Sequence, residues 1–294
     1  MIRFVQLSDL HIHGSNKKAD NVNTQIIVSY IAERYSGFKK KDKPVILITG
    51  DITDDGKKNQ YKNAVKLIQP LVDGGFRVLA CPGNHDYGLA GNFYTEKSQQ
   101  LYQDYILGEL LGIKKAGRSD VKMEDIYPTV DKINGFMFIG VDSVVGNEDD
   151  LLHFASGEVG GDQRKKLAAI LTDPAHSDMQ KIVYFHHHPF YRNLFKKIAL
   201  ELDDAREVMR LLGGRIDFLC FGHKHVADIW PAEHGIDWIM ASGQSTERNE
   251  RYKFQFREVT IDGSDNSVSM VTFRRDEVKF NKAGKVDLRA TVEK

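Results

Sequence analysis

Five polar groups punctuate the apolar runs of this chain, and each carries side chains that ligate divalent cations: Asp9-x-His11, Asp51, Asn84-His85-Asp86, His186-His187-His188 and His223-x-His225. A carboxylate and an imidazole two residues apart at a strand end project to the same side and can chelate one ion. Alone, that pair is better explained as a solvated strand end. Asp51 follows Gly50 behind the run VILIT, with Asp54 and Asp55 close after it. Such an acid cluster needs a cation or water, although Asp54 and Gly56 also suit a turn or helix cap. Pro82-Gly83-Asn84-His85-Asp86 is more specific, because a glycine lets the backbone turn while an amide, an imidazole and a carboxylate are presented together. Five of the eleven histidines stand on two strand ends, a distribution that isolated structural histidines do not produce. Together the groups offer carboxylate, amide and imidazole donors and no thiolate. That set suits two adjacent first-row ions, Mn, Fe or Zn foremost. Mg or Ca alone would favour an all-oxygen shell.

The elements that must position these groups are short buried strands. IRFVQLSDLHIH, PVILITGDITDD, FRVLACPGNHDY, FMFIGVDS, KIVYFHHHPF and IDFLCFGHKH each run from apolar, β-branched or aromatic residues into a polar cluster. Between most of them, helical spacing recurs over Asn21–Tyr35, Asn59–Val72, Asp162–Leu171 and Asp203–Leu212. Strand, polar loop and helix in repetition predict an α/β architecture, whose ligand groups collect on the rim at the strands' C-terminal ends. From about residue 236 the alternation of IDWIMASG, YKFQFREVTID and SVSMVTFRRDE predicts a β-rich C-terminal part. We read residues 1–294 as a single domain with an insertion at about 87–135, where two core strands stand nearly fifty residues apart.

Bulk properties narrow the partners. Lys+Arg and Asp+Glu both number 41 among 294 residues. This balance lacks the basic excess of a nucleic-acid-binding surface and makes a nucleic-acid partner unlikely. Cys81 and Cys220, both in apolar runs, read as reduced buried thiols. The first residues lack the apolar core of a signal peptide and no apolar run is long enough to span a membrane, so a cytoplasmic location is expected. Nothing in the sequence sets an oligomeric state.

The ordered series Asp9-x-His11, Gly50-Asp51-x-x-Asp54, Gly83-Asn84-His85-Asp86, His187-x-Pro189 and Gly222-His223-x-His225 resembles the signature of the calcineurin-like metallophosphoesterase superfamily. Within it the chain is most similar to the bacterial cyclic-nucleotide and glycerophosphodiester phosphodiesterase branch. FIGVDS and GEVGGDQRKKLAAIL extend the likeness, which runs from residue 2 to about 245. The resemblance implies a four-layer α/β/β/α sandwich of two mixed sheets flanked by helices. It implies one ion on Asp9, His11, Asp51 and His225, and a second on Asp51, Asn84, His187 and His223. His187 is selected from the histidine triple by the family's His-x-Pro spacing. His85 is the implied catalytic acid, with Asp54 holding its ring. The implied reaction is metal-dependent hydrolysis of a small phosphoester, a phosphodiester foremost, with phosphomonoesters and nucleotide pyrophosphates as alternatives and a non-catalytic metal scaffold as the non-enzyme alternative. Asp55 stands where the protein Ser/Thr phosphatase branch carries an arginine. Tyr87, Tyr191 and Arg192, with Phe190 and Asn193, follow the ligand loops and are candidates to line a substrate pocket, although aromatics there more often pack. Lys114, Lys115 and Arg118 in the insertion read as solvated.

Overall fold

The computed structural model describes residues 1–89, 91, 93–117, 120–144, 156–190, 201–246, 255–261, 267–274 and 279–287. The first three strands, β1 (Ile2–Leu7), β2 (Val45–Thr49) and β3 (Val78–Cys81), are parallel and joined by α1 (Ala19–Arg34) and α2 (Lys58–Asp73). Helix α2 shows why the sequence makes this unit. Tyr61, Ala64, Val65, Ile68 and Leu71 fall on one stripe and are all buried, the 3.6-residue pattern of a helix laid on a sheet. Its start is fixed by Gln60, whose Oε1 accepts from the Asp55 and Lys57 amides at 2.8 and 3.2 Å. Behind its end lies Gly75, at φ +81°.

After β3 come α3 (Asn84–Tyr87), a small hairpin of β4 (Gly88–Leu89) and β5 (Phe93–Tyr94), α4 (Glu96–Leu101), wider π-helical turns over Tyr102–Leu110, and α5 (Met123–Ile126). Tyr102, Ile106, Leu107 and Leu110 are buried, so much of the expected insertion is packed against the body, with its π turns against α2. Its last part, β6 (Thr129–Ile133), is the edge strand of the second sheet and pairs antiparallel with β7 (Phe136–Gly140). Then follow α6 (Gly161–Thr172), β8 (Gln180–Tyr184), α7 (Ala205–Leu212), β9 (Phe218–Phe221), β10 (Asp228–Glu233), β11 (Ile236–Ala241), β12 (Gln255–Ile261), β13 (Ser267–Arg274) and β14 (Lys279–Asp287).

Two six-stranded mixed sheets result, ordered β14-β13-β12-β1-β2-β3 and β10-β11-β9-β8-β7-β6. One core cluster fills the space between the sheets and the side covered by α1 and α2; a second lies between the other sheet and α6 and α7. This is the expected four-layer α/β/β/α sandwich. The β-rich C-terminal part joins both sheets: β11 lies parallel to β9, with β10 as an antiparallel edge, whereas β12–β14 extend the first sheet antiparallel. Strand β8 shows the parity that matters for the site. Ile182 and Tyr184 face the inter-sheet core, while Val183 and the following Phe185 face the helices. Among the described residues no helix is long and apolar enough to cross a membrane.

Candidate metal centre

Strand ends on both sheets deliver the candidate ligands to one rim: β1 leads to Asp9 and His11, β2 to Asp51, β3 to Asn84, β8 to the histidine triple, and β9 to His223 and His225. Each chain turns sharply where it leaves its strand. Asp9, His11, Asp51, His223 and His225 have φ of 53, 44, 51, 75 and 56°, five of the eight described non-glycine residues with positive φ. That conformation costs about 1–3 kcal/mol per residue and persists only where surroundings enforce it. Here the amides of Asp9 and His11 donate to Gly50 O (3.1 Å) and Asp51 O (3.0 Å), and the His223 amide donates to Asp9 Oδ1 at 3.2 Å. Gly83 permits a close approach, since a Cβ there would stand 2.2 Å from Asp51 Oδ1.

Two donor sets meet on one carboxylate oxygen. In the first, His11 Nε2 and His225 Nε2 are 3.2 Å apart, Asp9 Oδ1 is 3.5 Å from His225 Nε2, and Asp51 Oδ2 is 3.9 Å from His11 Nε2. In the second, His186 Nε2 lies 3.1 Å from Asp51 Oδ2, 3.1 Å from Asn84 Oδ1 and 3.2 Å from His223 Nδ1. Donors bound about 2.1 Å from one ion at right angles stand about 3 Å from each other, so these spacings fit cation sites. Asp51 Oδ1 is already used, accepting from the His85 amide at 2.9 Å, which leaves Oδ2 to face both sets. His186 Nδ1 lies 2.8 Å from Thr49 O. A carbonyl can only accept, so Nδ1 carries the hydrogen and Nε2 presents a lone pair.

The electrostatics also ask for cations. Burial opposes charge on His11, yet Asp54, Asp51 and Asp9 carry its pKa up to about 9. His186 is likewise buried and is raised to about 9, chiefly by Asp51. Burial alone would lift the Asp51 carboxyl; His186, His85 and His11 hold it well below the ordinary carboxylate range. Protons on imidazole thus balance carboxylates where divalent ions would, and the buried His223 Nε2 has no hydrogen-bond partner. The residues present fit a pair of divalent ions.

One expected position is corrected. His187 is not in the converging set: its Nδ1 lies 2.9 Å from Ser143 Oγ, its buried Nε2 has no hydrogen-bond partner, and burial pushes its pKa down to about 3. His186 stands at that place because it continues the parity of Ile182 and Tyr184 into the space between the sheets. His188 packs instead on Phe221 and Trp230, with ring centroids 4.8 and 5.6 Å away. Metal content by mass spectrometry checks this assignment. His186→Asn is expected to weaken retention of the second ion by about 100-fold or more, while His187→Asn retains both. The reverse pattern would restore His187.

The orienting groups also differ from expectation. His85 Nδ1 lies 2.7 Å from the main-chain carbonyl of Asp54, not its carboxylate. That carboxylate faces His11 Nδ1 at 3.7 Å and His13 Nδ1 at 3.0 Å, and His13 Nε2 reaches Asp20 at 3.2 Å. Asp86 clamps the loops together, accepting from the Ile52, Thr53 and Gly83 amides at 3.2, 2.8 and 3.0 Å. Burial and Asp51 lift its pKa to about 6. Tyr87 does not line a pocket: it is fully buried and its hydroxyl donates to Asp142 at 2.8 Å. Phe190 packs on Trp230, and Lys114 and Lys115 are exposed. Tyr191, Arg192, Asn193 and Arg118 lie outside the described residues. Ser143 and Thr49 went unnoticed in the sequence because hydroxyl side chains carry no spacing signature. Gln163, the Gln of GEVGGDQ, ties α6 to the loop after β7 through both main-chain groups of Asp142, at 2.8 and 2.7 Å.

Two mixed sheets whose strand ends gather carboxylate, amide and imidazole around one shared oxygen define a phosphoesterase built on a metal centre. The calcineurin-like phosphoesterase family matches residues 2–227, and the chain belongs to that family. It is 28% identical over 262 residues to a protein of Vesicomyosocius okutanii named "Probable cyclic nucleotide phosphodiesterase", covering 87% of this chain and 92% of that one. A "Probable glycerophosphodiester phosphodiesterase" of Arcobacter nitrofigilis is 35% identical over 82 residues, 28% of this chain and 29% of that one. Among solved structures, a dimetal phosphatase from Danio rerio shares the fold at a TM-score of 0.65 and 16% identity, covering 98% of both chains.

Proposed function

We propose that this protein hydrolyses small phosphodiesters at a centre of two divalent ions, Mn, Fe or Zn, held by Asp9, His11, Asp51 and His225 on one side and by Asp51, Asn84, His186 and His223 on the other. The observation that carries this reading is the placement of Asp51 Oδ2, 3.1 Å from His186 Nε2 and 3.9 Å from His11 Nε2. When bound, the ions supply Lewis acidity, making water a nucleophile at neutral pH and withdrawing charge from the phosphoryl oxygens. The chain's own residues do the rest. Asn84 Nδ2 donates to Gly91 O at 3.1 Å, fixing the amide so that Oδ1 faces His186. The His85 ring, held through Nδ1 by Asp54 O, keeps Nε2 as the nitrogen that exchanges a proton, and its centroid lies 4.6 Å from that of His11. From there it can protonate the departing alkoxide. Asp54 steadies His11 through its carboxylate and His85 through its carbonyl.

The choice of a diester rests on the names of relatives and is tested by comparing bis(p-nitrophenyl) phosphate, 2′,3′- and 3′,5′-cyclic nucleotides, glycerophosphodiesters, p-nitrophenyl phosphate and a nucleoside diphosphate sugar, with manganese added. Diesters are expected to turn over at least about tenfold faster than the monoester. A faster monoester or pyrophosphate would replace the reading with that activity, and no metal-dependent turnover on any of them would make the protein a scaffold of the same fold.

A further inference from the structure

One cavity lies away from the metal rim. It has a volume of about 620 Å³ and lies where β1 and β2 begin, with Ile2 and Val45 in its wall, beside Arg77, which precedes β3, and the β6–β7 turn at Ile133 and Asn134. Asp9, Asp51 and Asn84 follow the opposite ends of those strands. At about 3.3 Å per residue, five or six residues of strand separate the two openings by about 15–20 Å. This cavity is a second opening at the far end of the sandwich.

Its charge is out of proportion to the chain. Arg3, Lys40, Lys41, Lys43 and Arg77 line it, against Asp42 alone among the lining acids, in a protein whose formal charge is zero. Among the described residues, Arg77 is the one of these five paired with an acid, Asp131. Two other cations are held by groups without charge. Lys43 Nζ donates to Gly74 O at 2.7 Å and sits 4.8 Å from the Phe76 ring centroid, and the Arg3 guanidinium lies 5.7 Å from that of Phe38. The stem of Lys40 runs past Gly75, with Cγ 3.5 Å from where a Cβ would be. Beneath this cationic mouth the wall is apolar: Ile2, Val45 and Phe76 are buried, joined by Val72 and Ile133. Cations that outnumber the acids over an apolar wall recognise an anion that carries an apolar body. A space of this size takes a small organic molecule, and a bare phosphate would leave the apolar wall unused.

We propose that this cavity is a second ligand site, separate from the metal centre, for an organic monophosphate of nucleotide size. The phosphate pairs with Lys40, Lys41 and Arg3 at the mouth, and the apolar part lies against Ile2, Val45 and Ile133. Calorimetric titration of the metal-loaded protein with AMP, adenosine and inorganic phosphate tests it. AMP is expected to bind saturably, and adenosine and phosphate at least about tenfold more weakly, because each offers half of the recognition. The double variant Lys40→Glu/Lys41→Glu is expected to lower AMP affinity by at least about tenfold, with unchanged circular dichroism and unchanged hydrolysis of bis(p-nitrophenyl) phosphate. Asp51→Asn, which disables the metal centre, is expected to leave this AMP binding in place. Saturable binding that survives the double lysine variant or vanishes with Asp51→Asn overturns the proposal, as does the lack of saturable binding up to about 10 mM AMP.

Discussion

Asp51→Asn is expected to empty both ion positions and to slow hydrolysis of bis(p-nitrophenyl) phosphate by about a thousandfold or more. The reason is the sharing of one atom. Oδ2 is the member common to both donor sets, at 3.1 Å from His186 Nε2 and 3.9 Å from His11 Nε2, so one substitution removes a charged donor from each ion. Asparagine preserves the shape, and its carbonyl oxygen can take over the bond from the His85 amide, which Oδ1 now accepts at 2.9 Å. The fold is therefore expected to survive, with an unchanged near-ultraviolet circular dichroism spectrum. Metal analysis after dialysis is the decisive measurement. Two ions still bound per chain would show that Asp51 does not bridge them. His225→Ala supplies a comparison, because His225 belongs to the first set alone. It is expected to cost the first ion and spare the second.

The sequence made most of this rim legible because each candidate ligand follows a strand, and strands announce themselves as apolar runs. VILIT ahead of Gly50-Asp51 and FLCF ahead of Gly222-His223 are found as β2 and β9, and both loops turn through the positive φ that their glycine-flanked ends suggest. The histidine triple was harder for a physical reason. From Ile182 to Phe185 every side chain is aliphatic or aromatic because the strand is buried on both faces, so no polar alternation marks which parity looks between the sheets. Only the packing of Ile182 and Tyr184 against the first sheet, opposite Val183 and Phe185, selects His186. Counting back from Pro189 selects its neighbour. Tyr87 failed for a related reason: proximity in sequence to Asn84 says nothing about direction, and its ring turns into a buried aromatic group with Tyr94 and Tyr102 at 6.1 and 5.7 Å. The basic cavity was invisible because its cations come from three separate stretches of chain, each unremarkable by itself.

His85→Ala is expected to retain both ions and to slow turnover by about 10²–10⁴-fold, with the loss depending on the leaving group. His85 belongs to neither converging donor set, and its Nδ1 is committed to Asp54 O at 2.7 Å. Only Nε2 is left to move a proton. If that proton goes to the departing oxygen, its value depends on how basic that oxygen becomes. An alkoxide needs it, whereas p-nitrophenolate leaves well without it. The variant should accordingly lose far more activity on an alkyl diester such as a glycerophosphodiester than on bis(p-nitrophenyl) phosphate, steepening the dependence of kcat on leaving-group pKa. His85→Gln should behave similarly, since an amide can donate a hydrogen bond but cannot release the proton. An equal loss on both substrates would place His85 in stabilising charge on the phosphoryl group instead. Loss of an ion from the variant would move it into the metal centre and remove the general-acid role altogether.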